Sequence, residues 1–223
     1  MKKLLAIALA LCMVLSIACF ASAESDELIR VGIINNDPTE SGYRAANVAD
    51  MEATFCKENG YEAQFFYSLK NEEQIAQAKK FIADEVDYLL LSAAATTGWD
   101  SVLKEAEEAG VTVILFDRTI DADESLYAAS VVSDMAKEGE TAVAWLAEQG
   151  LEEYNVIHIQ GVMGSAAQVG RSGALDTKVE ENDNWNIVIQ QTGNWSADEA
   201  KQIVESVINS GEKFNVIYAG NDN

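Results

Sequence analysis

The sequence predicts an α/β protein of two lobes, each a doubly wound parallel sheet, with the second lobe incomplete. Three observations carry this prediction. Short apolar runs alternate with helical patterns from about residue 28 onward, and strands joined by helical crossovers run parallel. The alternation restarts after about residue 130, which indicates a second unit. The run at 88–91 is apolar without interruption, which is typical of a strand buried on both faces.

The first residues are typical of an export leader. Lys2 and Lys3 precede an apolar run at 4–20, and the small residues at 21–23 suit a signal peptidase. We therefore expect a signal peptide over 1–23 and a periplasmic or otherwise extracytoplasmic location. The apolar run is at the short limit for a membrane span, and no basic stop-transfer cluster follows it.

Two of the three cysteines lie inside this leader, so the exported chain would keep only Cys56 and could form no internal disulfide. One alternative to cleavage after Ala23 stays open. The sequence at 16–19 partly resembles a lipoprotein signal, in which Cys19 would be acylated and would anchor the protein at the cell surface. We favour cleavage after Ala23, because the Leu-type residue usual three positions before such a cysteine is absent.

The first predicted lobe occupies 24–130. Its elements follow from apolar runs, from helical periodicity and from glycines that end helices. Strands are predicted at 29–35, 62–68, 86–92 and 111–116, and helices at 42–59, from about 71, and at 99–109. A short apolar run at 128–132 follows an acidic loop and leads into the second lobe.

The second predicted lobe occupies 131–223 and repeats the pattern. Strands are predicted at 154–159, 185–191 and 214–219, and helices at 135–149, 167–181 and 197–209. The last helix is the best specified, because Ser196 and Glu199 have capping-box spacing and Gly211 follows its end. The chain ends directly after a buried strand, so we expect this lobe to lack its later elements.

Composition and motifs exclude several functions. Asp and Glu outnumber Lys and Arg by 37 to 15, giving a net charge of −22, so nucleic-acid binding is not expected. No G-x-G-x-x-G follows the first strand, and neither a Walker loop nor a nucleophile elbow occurs. The single histidine, His158, has no partner at metal-ligand spacing and is expected to be a packed strand residue. We therefore expect no cofactor, no metal and no enzymatic activity.

Polar and aromatic side chains follow the predicted strands at the ends where ligands bind in open α/β sheets. They include carboxylates, amides, guanidinium groups and aromatic rings. Such a set suits a neutral polyhydroxyl ligand, because each hydroxyl both donates and accepts, and aromatic faces pack on the C–H surface of a ring. Among these strand-end residues are Glu40, Tyr43, Arg44, Asp117, Arg118, Arg171, Trp195 and Asn221.

Several candidates have a structural alternative. Asp117 and Arg118 could pair in a surface turn, although two charges directly after an apolar run favour a functional role. Arg171 could be a solvated helix residue, and Trp195 could act as a hydrophobic staple before a capping serine. Trp99, after the third strand, is expected to anchor its helix in the core.

Four segments in order carry a family resemblance. They are Glu-Ser-Gly-Tyr-Arg-Ala-Ala at 40–46, Ala-Thr-Thr-Gly-Trp at 95–99, Asp-Arg-Thr-Ile-Asp at 117–121 and Tyr-Ala-Gly-Asn-Asp at 218–222. Together they resemble the type I periplasmic sugar-binding proteins of ABC transporters. The similarity is greatest to the galactofuranose-binding branch of the ribose and galactose group, and it runs from about residue 29 to residue 223.

The resemblance implies a monomeric two-lobed clamp that closes on one galactofuranose-, galactose- or ribose-like sugar and delivers it to a transporter permease. The protein would then contact the membrane only through the permease or through the possible lipid anchor. The positions that match the family pattern are Glu40, Tyr43 and Arg44 in a segment that reaches the sugar, Asp117 and Arg118 in a hydroxyl clamp, Arg171 in the second lobe, Trp195 as a stacking aromatic, and Asn221 in an Asn-Asp motif.

Two features of the family are missing from this sequence, namely a later strand-end Asp and a hinge of several crossings. We therefore expect the chain to lack about a third of an ordinary two-lobed architecture. The functional alternative is an extracytoplasmic sugar sensor that presents its closed lobes to a chemoreceptor or a histidine kinase. A transcription regulator of the same architecture would need a basic helix-turn-helix where the leader stands.

Overall fold

The structure, a computed structural model, describes residues 27–222. The predicted signal peptide and the possible lipid anchor at Cys19 lie outside the described residues. Within 27–222 no helix combines the length and the apolar character that a membrane span needs.

The first lobe contains a five-stranded parallel sheet with the strand order β2-β1-β3-β4-β5. Its strands are β1 Ile29–Asn35, β2 Tyr61–Tyr67, β3 Tyr88–Leu91, β4 Thr112–Asp117 and β5 Ala129–Val132. Its helices are α1 Gly42–Thr54, α2 Asn71–Ala83 and α3 Asp100–Ala109. Every pairing in the sheet is parallel, because each connection crosses over through a helix or a long loop.

Helices cover both faces of this sheet, as a doubly wound fold requires. On one face Val31 and Ile33 of β1 pack with Met51 near the end of α1. On the other face Leu89 and Leu91 of β3 pack in a larger cluster with residues of α2 and α3. Trp99 is fully buried in this cluster, which confirms its predicted role as a core anchor.

The second lobe has a three-stranded parallel sheet within the described residues, with the order β7-β6-β8. Its strands are β6 Tyr154–Gln160, β7 Trp185–Thr192 and β8 Val216–Ala219, and its helices are α4 Met135–Ala147, α5 Ala166–Glu181 and α6 Ala197–Ser210. One core cluster contains Val156, Leu175 of α5 and Val143 of α4, and another contains Ile157 and Ile203 of α6. The predicted α/β fold class with two doubly wound lobes is thus confirmed.

The prediction of one helix over 42–59 is wrong at its end. Helix α1 stops at Thr54, because Phe55 leaves the helical conformation at φ −92° and ψ 58° and Cys56 is extended. The Phe55 ring lies 5.0 Å from the Tyr61 ring, edge to face. A separate 3₁₀ turn, Lys57–Asn59, then leads to the left-handed Gly60. Packing on the next strand therefore ends the helix before its glycine signal.

The other predicted elements are present, with ends that differ by a few residues. β3 is shorter than the predicted 86–92, and β8 begins at Val216 rather than at 214. The predicted lobe bounds of 24–130 and 131–223 stay a prediction. β5 belongs to the first sheet and ends at Val132, and α4 is the next element.

Candidate functional site

A cavity of about 240 Å³ lies between the two lobes, where the carboxyl ends of strands from both sheets meet. Its lining includes residues that follow β1, β4 and β5 in the first lobe and residues that follow β6, β7 and β8 in the second. The eight residues predicted as ligand-binding all line this cavity: Glu40, Tyr43, Arg44, Asp117, Arg118, Arg171, Trp195 and Asn221. The structure thus brings the whole predicted set together.

The short segment after β1 places the first three candidates. Asp37 accepts a hydrogen bond from the Thr39 backbone N–H and begins the 3₁₀ turn Pro38–Glu40. Ser41 then caps α1 by accepting from the Arg44 backbone N–H. Two capping side chains in succession fix the turn, so Glu40 and Arg44 are held on the same side of the loop.

Arg44 is almost fully buried, at 1% exposure, and its guanidinium is fixed on three sides. Nε donates to Glu40 Oε2 at 3.2 Å, Nη1 donates to Asn35 Oδ1 at 2.7 Å, and Nη2 donates to Asp117 Oδ2 at 2.5 Å. Because a guanidinium is planar and always charged, these bonds determine its orientation.

Glu40 joins the two first-lobe arginines. Its side chain is 2% exposed, and Arg118 Nη2 donates to both of its oxygens, at 2.9 and 3.0 Å. The buried carboxylate is thus paired with two cations, as a charge removed from water must be. Arg118 lines the cavity, and its Nη1 is buried and has no hydrogen-bond partner within 27–222. This nitrogen is therefore available to donate a hydrogen bond to a ligand.

Asp117, the last residue of β4, has the left-handed backbone angle φ +62°. The Arg118 backbone N–H donates to the Phe116 carbonyl at 2.6 Å, which closes a tight three-residue turn around it. Burial alone would raise the pKa of Asp117. The charges of Arg44 and Arg118 and the hydrogen bonds from Arg44 and Tyr43 outweigh burial and hold the pKa below its ordinary value. Asp117 is therefore an ionised acceptor at neutral pH.

Tyr43 covers Asp117 from the solvent side. Its ring is exposed, at 57% for the residue, but its hydroxyl donates to Asp117 Oδ1 at 2.8 Å. Burial of the hydroxyl and the neighbouring charge of Asp117 raise the pKa of Tyr43 to about 12. The phenol is therefore a neutral donor over the whole physiological range.

Arg171 of α5 provides the main positive charge of the second lobe at the cavity. Nε donates to Glu138 of α4 at 2.7 Å, and Nη1 donates to the Gly220 carbonyl, just after β8, at 2.8 Å. The guanidinium carbon lies 5.9 Å from the centre of the Trp195 ring. Arg171 thus ties two helices to a strand end, and the alternative of a freely solvated helix residue is wrong.

Trp195 is held in an unusual backbone conformation. Asn194 and Trp195 both have positive φ, at +51° and +60°. The indole ring lies against the backbone of Gly161, where an added Cβ would meet the ring at 1.9 Å. Only a glycine permits this approach. Trp195 is buried, at 7% exposure for the residue, and it lines the cavity.

Asn221 and Asp222 directly follow β8 and complete the lining. With Asp222 the cavity has three carboxylates, those of Glu40, Asp117 and Asp222, and three guanidinium groups, those of Arg44, Arg118 and Arg171. The formal charges of the lining cancel. A wall of matched donors and acceptors with no net charge suits a neutral, hydroxyl-rich ligand better than an anion or a cation.

Sequence reasoning missed several residues that support or line the site. Ser92 donates to Asp117 Oδ2 at 3.0 Å, and Asn35 orients Arg44. Ser133 and Met135 line the cavity. The position of Ser133 directly after β5 is the same strand-end signal that identified Asp117, whereas nothing local marks Met135.

Outside the cavity, His158 is fully buried in β6, with Nε2 3.2 Å from Ser172 Oγ and its ring edge to face with Tyr218. This confirms the expected packed strand residue. Within the described range no group of three or more His, Cys, Asp and Glu side chains could hold a metal ion.

The lobes also touch directly beside the cavity. The Thr96 backbone N–H, in the loop after β3, donates to the Gly164 carbonyl, in the loop before α5, at 3.1 Å. Gly164 has φ +80°, a conformation that favours glycine. The cavity is therefore bounded by lobes that are already in contact.

A comparison with known protein families identifies the family of this chain. The model of a periplasmic binding protein domain matches residues 31–223. The chain belongs to this family. The predicted resemblance to periplasmic sugar-binding proteins is confirmed, and the family is one of binding proteins rather than of enzymes, as the sequence predicts.

Among the proteins similar to this chain, the galactofuranose-binding protein YtfQ of Escherichia coli (strain K12) is 34% identical over 192 residues, which are 82% of this chain and 59% of that protein. The arabinose ABC transporter's periplasmic binding component from Shewanella sp. ANA-3, bound to α- and β-L-arabinofuranose, has a TM-score of 0.77 at 29% identity, with 86% of this chain and 65% of that one covered. A crystal structure of a galactofuranose binding protein has a TM-score of 0.76 at 33% identity, with 87% and 67% covered. The chain thus spans about three fifths of the length of YtfQ.

Proposed function

We propose that this protein binds one neutral monosaccharide in the cavity between its lobes. The observation that carries the proposal is the lining itself, in which three carboxylates, three guanidinium groups and the Trp195 ring surround about 240 Å³. This volume is below the roughly 300–1,000 Å³ of pockets for drug-sized ligands, which suits a single small ring. Relatives named for binding galactofuranose and arabinofuranose support a sugar of this size.

Each wall supplies a different part of the recognition. Asp117 accepts from sugar hydroxyls, and Arg118 donates through the buried Nη1 that has no protein partner among the described residues. Arg171 and Asn221 offer donors from the second lobe, and Trp195 offers an apolar surface. Micromolar affinity corresponds to about −8.2 kcal/mol, which a few charge-assisted hydrogen bonds at about 1.5–3 kcal/mol each and one aromatic contact supply.

Binding is coupled to closure, because the ligand touches both lobes at once. A sugar that contacts Asp117 in one lobe and Arg171 in the other favours the state in which both are within reach. We propose that a permease of an ABC transporter recognises this closed state. One structural relative is named as the binding component of an arabinose ABC transporter, which supports delivery to such a partner.

The location and the assembly state belong to the same proposal. We infer that the protein is exported, since the predicted leader at 1–23 and the location that the family's name describes agree, and we propose that it is a monomer. The lipid anchor at Cys19 and the sensing role stay alternatives. Mass spectrometry of the exported N-terminus tests the anchor, and the functions of the adjacent genes, permease and ATPase against chemoreceptor or histidine kinase, test the sensing role.

The sugar site is tested by calorimetric titration of D-galactose, D-fructose and L-arabinose into the wild-type chain and into Asp117→Asn. Asn tolerates the left-handed backbone as Asp does, so the substitution removes the charge without adding backbone strain. We expect at least one sugar to bind the wild type, and the variant to lose about tenfold or more in affinity.

The matched control is Asp121→Asn, an exposed carboxylate four positions away that does not line the cavity. It should bind as the wild type does. Absence of binding for all three sugars, or equal affinity in wild type and Asp117→Asn, would contradict the proposed site.

A further inference from the structure

Tyr43 occupies part of the hydrogen-bonding capacity that Asp117 would otherwise offer to a ligand. An ionised carboxylate has about four acceptor positions on its two oxygens. On Oδ2, one bond comes from Arg44 Nη2 and one from Ser92 Oγ. On Oδ1, one bond comes from the Tyr43 hydroxyl. Of about four positions, three are thus satisfied by the protein.

The two oxygens differ in how firmly their partners are held. Arg44 is fixed by Glu40 and Asn35 as well as by Asp117, so the bonds on Oδ2 belong to a buried network. Tyr43 is more than half exposed, and its hydroxyl reaches Asp117 from the first turn of α1, 74 residues away in sequence. The remaining acceptor capacity therefore lies on Oδ1, and Tyr43 alone limits it.

We propose that Tyr43 is a specificity-determining residue, whose hydroxyl fills one acceptor position of Asp117 so that this carboxylate accepts from one sugar hydroxyl and not from an adjacent pair. The inference rests on the proposed sugar site. A sugar that presents a single hydroxyl to Asp117 loses nothing to Tyr43. A sugar that presents two must leave one unsatisfied or displace the phenol, and either costs free energy.

The phenol is suited to this role at every physiological pH. Its hydroxyl keeps its proton, because the ordinary pKa of a tyrosine is already well above physiological pH and burial raises it to about 12, so the hydroxyl can donate to Asp117 throughout this range. Its ring also lies against the Arg44 guanidinium, whose carbon is 5.4 Å from the ring centre. Contact with a fixed neighbour restricts the ring and keeps its hydroxyl near Oδ1.

The test is Tyr43→Phe, which deletes the hydroxyl and keeps the ring. Whichever of D-galactose, D-fructose and L-arabinose binds the wild type most tightly is titrated together with its monodeoxy analogues. In the wild type, one monodeoxy analogue should bind about tenfold or more weakly than the parent sugar, because it lacks the hydroxyl that donates to Asp117. A double-mutant cycle with Asp117→Asn identifies which analogue this is. In Tyr43→Phe, a second acceptor position of Asp117 is free. A second analogue should then also bind about tenfold or more weakly than the parent sugar, because it lacks the hydroxyl that fills this position.

Tyr67→Phe is the matched control. The Tyr67 hydroxyl also donates to a carboxylate, Glu52 Oε1 at 2.7 Å, but it does not line the cavity. Its analogue profile should equal that of the wild type. Thermal melts verify that both variants fold.

The outcomes separate the two proposals. If the wild type binds none of the three sugars, the sugar site is wrong and the inference falls with it. If the wild type binds but Tyr43→Phe keeps the wild-type analogue profile, or weakens all analogues by the same factor, Tyr43 has at most a structural role and the inference alone is overturned.

Discussion

Strained residues concentrate at the cavity. Within residues 27–222, the non-glycine residues with positive φ are Glu85, Asp117, Asn194 and Trp195. Two of these four line the cavity, and Asn194 directly precedes one of them. A positive φ costs a large residue such as Trp195 of order 1–3 kcal/mol, and costs Asp and Asn less, so it persists at Trp195 only where the surroundings enforce it. Here the enforcing contacts are the ion pair of Asp117 with Arg44 and the packing of Trp195 on Gly161.

His158 predicts how stability depends on pH. Burial lowers its pKa, and the charge of Asp176 raises it by less. Below the ordinary value of about 6.5 the unfolded chain takes up a proton that the folded chain does not, so stability falls as the pH is lowered. A difference of one bound proton between the unfolded and the folded chain changes the free energy of unfolding by at most about 1.4 kcal/mol per pH unit. We expect a loss of at most about 1 kcal/mol between pH 6.5 and 5.5, because the unfolded chain is already half protonated at pH 6.5, and urea denaturation measures it.

His158→Phe is the variant that isolates this effect, because it keeps a ring beside Tyr218 and cannot titrate. His158 is the single histidine of the chain, so no other side chain has an ordinary pKa near 6.5. The change in unfolding free energy between pH 6.5 and 5.5 should shrink in the variant, whatever its absolute stability. An equal change in both proteins would show that the buried ring does not control acid sensitivity.

At the level of single residues, the strand-end rule predicted which side chains meet but not how they pair. Asp117 and Arg118 follow an apolar run, and this local signal placed them correctly. The bond from Tyr43 to Asp117 spans 74 residues, and that from Ser92 spans 25. Such pairings depend on the strand order β1-β3-β4, which no local periodicity determines.

Among the elements, the loop between β7 and α6 shows how a helix start serves the cavity. Ser196 caps α6 by accepting from the Glu199 backbone N–H, and Asn194 donates to the Glu199 carboxylate at 2.8 Å. The capped helix fixes the residue before it, Trp195, whose ring lies against Gly161. The capping spacing was visible in the sequence, whereas the glycine opposite the ring was not.

The substitution Gly161→Ala should therefore disturb the site, although it adds only one methyl group. The added methyl would lie 1.9 Å from the Trp195 ring, so the ring must move. We expect a destabilisation of about 1–3 kcal/mol from overpacking, together with weaker sugar binding. Denaturation curves, tryptophan fluorescence and sugar titration measure these effects.

Gly173→Ala is the control for this substitution. Gly173 lies within α5, and an added methyl there has no neighbour within 4 Å. Alanine in a helix interior is favoured over glycine by roughly 0.5–1 kcal/mol, so this variant should gain stability and bind normally. Equal behaviour of the two variants would refute the claim that Gly161 positions the ring.

The extent of the elements was predicted well where local signals agree and less well where packing decides. Gly110 and Gly211 end α3 and α6 as predicted, in the left-handed conformation. Helix α1 ends before its glycine, because Phe55 turns to pack on Tyr61. A contact between two elements overrides the periodicity of one, and the sequence of α1 alone does not contain that contact.

For the whole molecule, the arrangement of the lobes is the part that sequence reasoning left open. Repetition of the strand and helix pattern predicted two sheets, but not the distance between their carboxyl ends. The structure places them around a cavity of about 240 Å³ and joins them by the bond from Thr96 to Gly164. A state in which both lobes reach one ligand is thus accessible without further movement, as the proposed clamp requires.

This arrangement predicts that a disulfide can lock the lobes together. A Cβ added at Gly164 would lie 4.0 Å from the Ala95 Cβ, within the roughly 3.5–4.5 Å of disulfides. In a Cys56→Ser chain that begins after the predicted leader, Ala95→Cys with Gly164→Cys should oxidise to a bridge. The left-handed φ at Gly164 would cost the cysteine variant about 1–2 kcal/mol. Thiol titration and mobility in non-reducing gels measure the bridge.

The locked protein also tests whether closure controls ligand exchange. If the cavity opens by separation of the lobes, the oxidised pair should release a bound sugar more slowly than the reduced pair, and a reductant should restore the rate. Ala95→Cys with Gly173→Cys is the control, because an added side chain at Gly173 has no neighbour within 4 Å and cannot form this bridge. Free thiols in the Ala95 and Gly164 pair under oxidising conditions would mean that the lobes do not remain in contact in solution. An oxidised pair with unchanged sugar release would mean instead that ligands enter and leave without separation of the lobes.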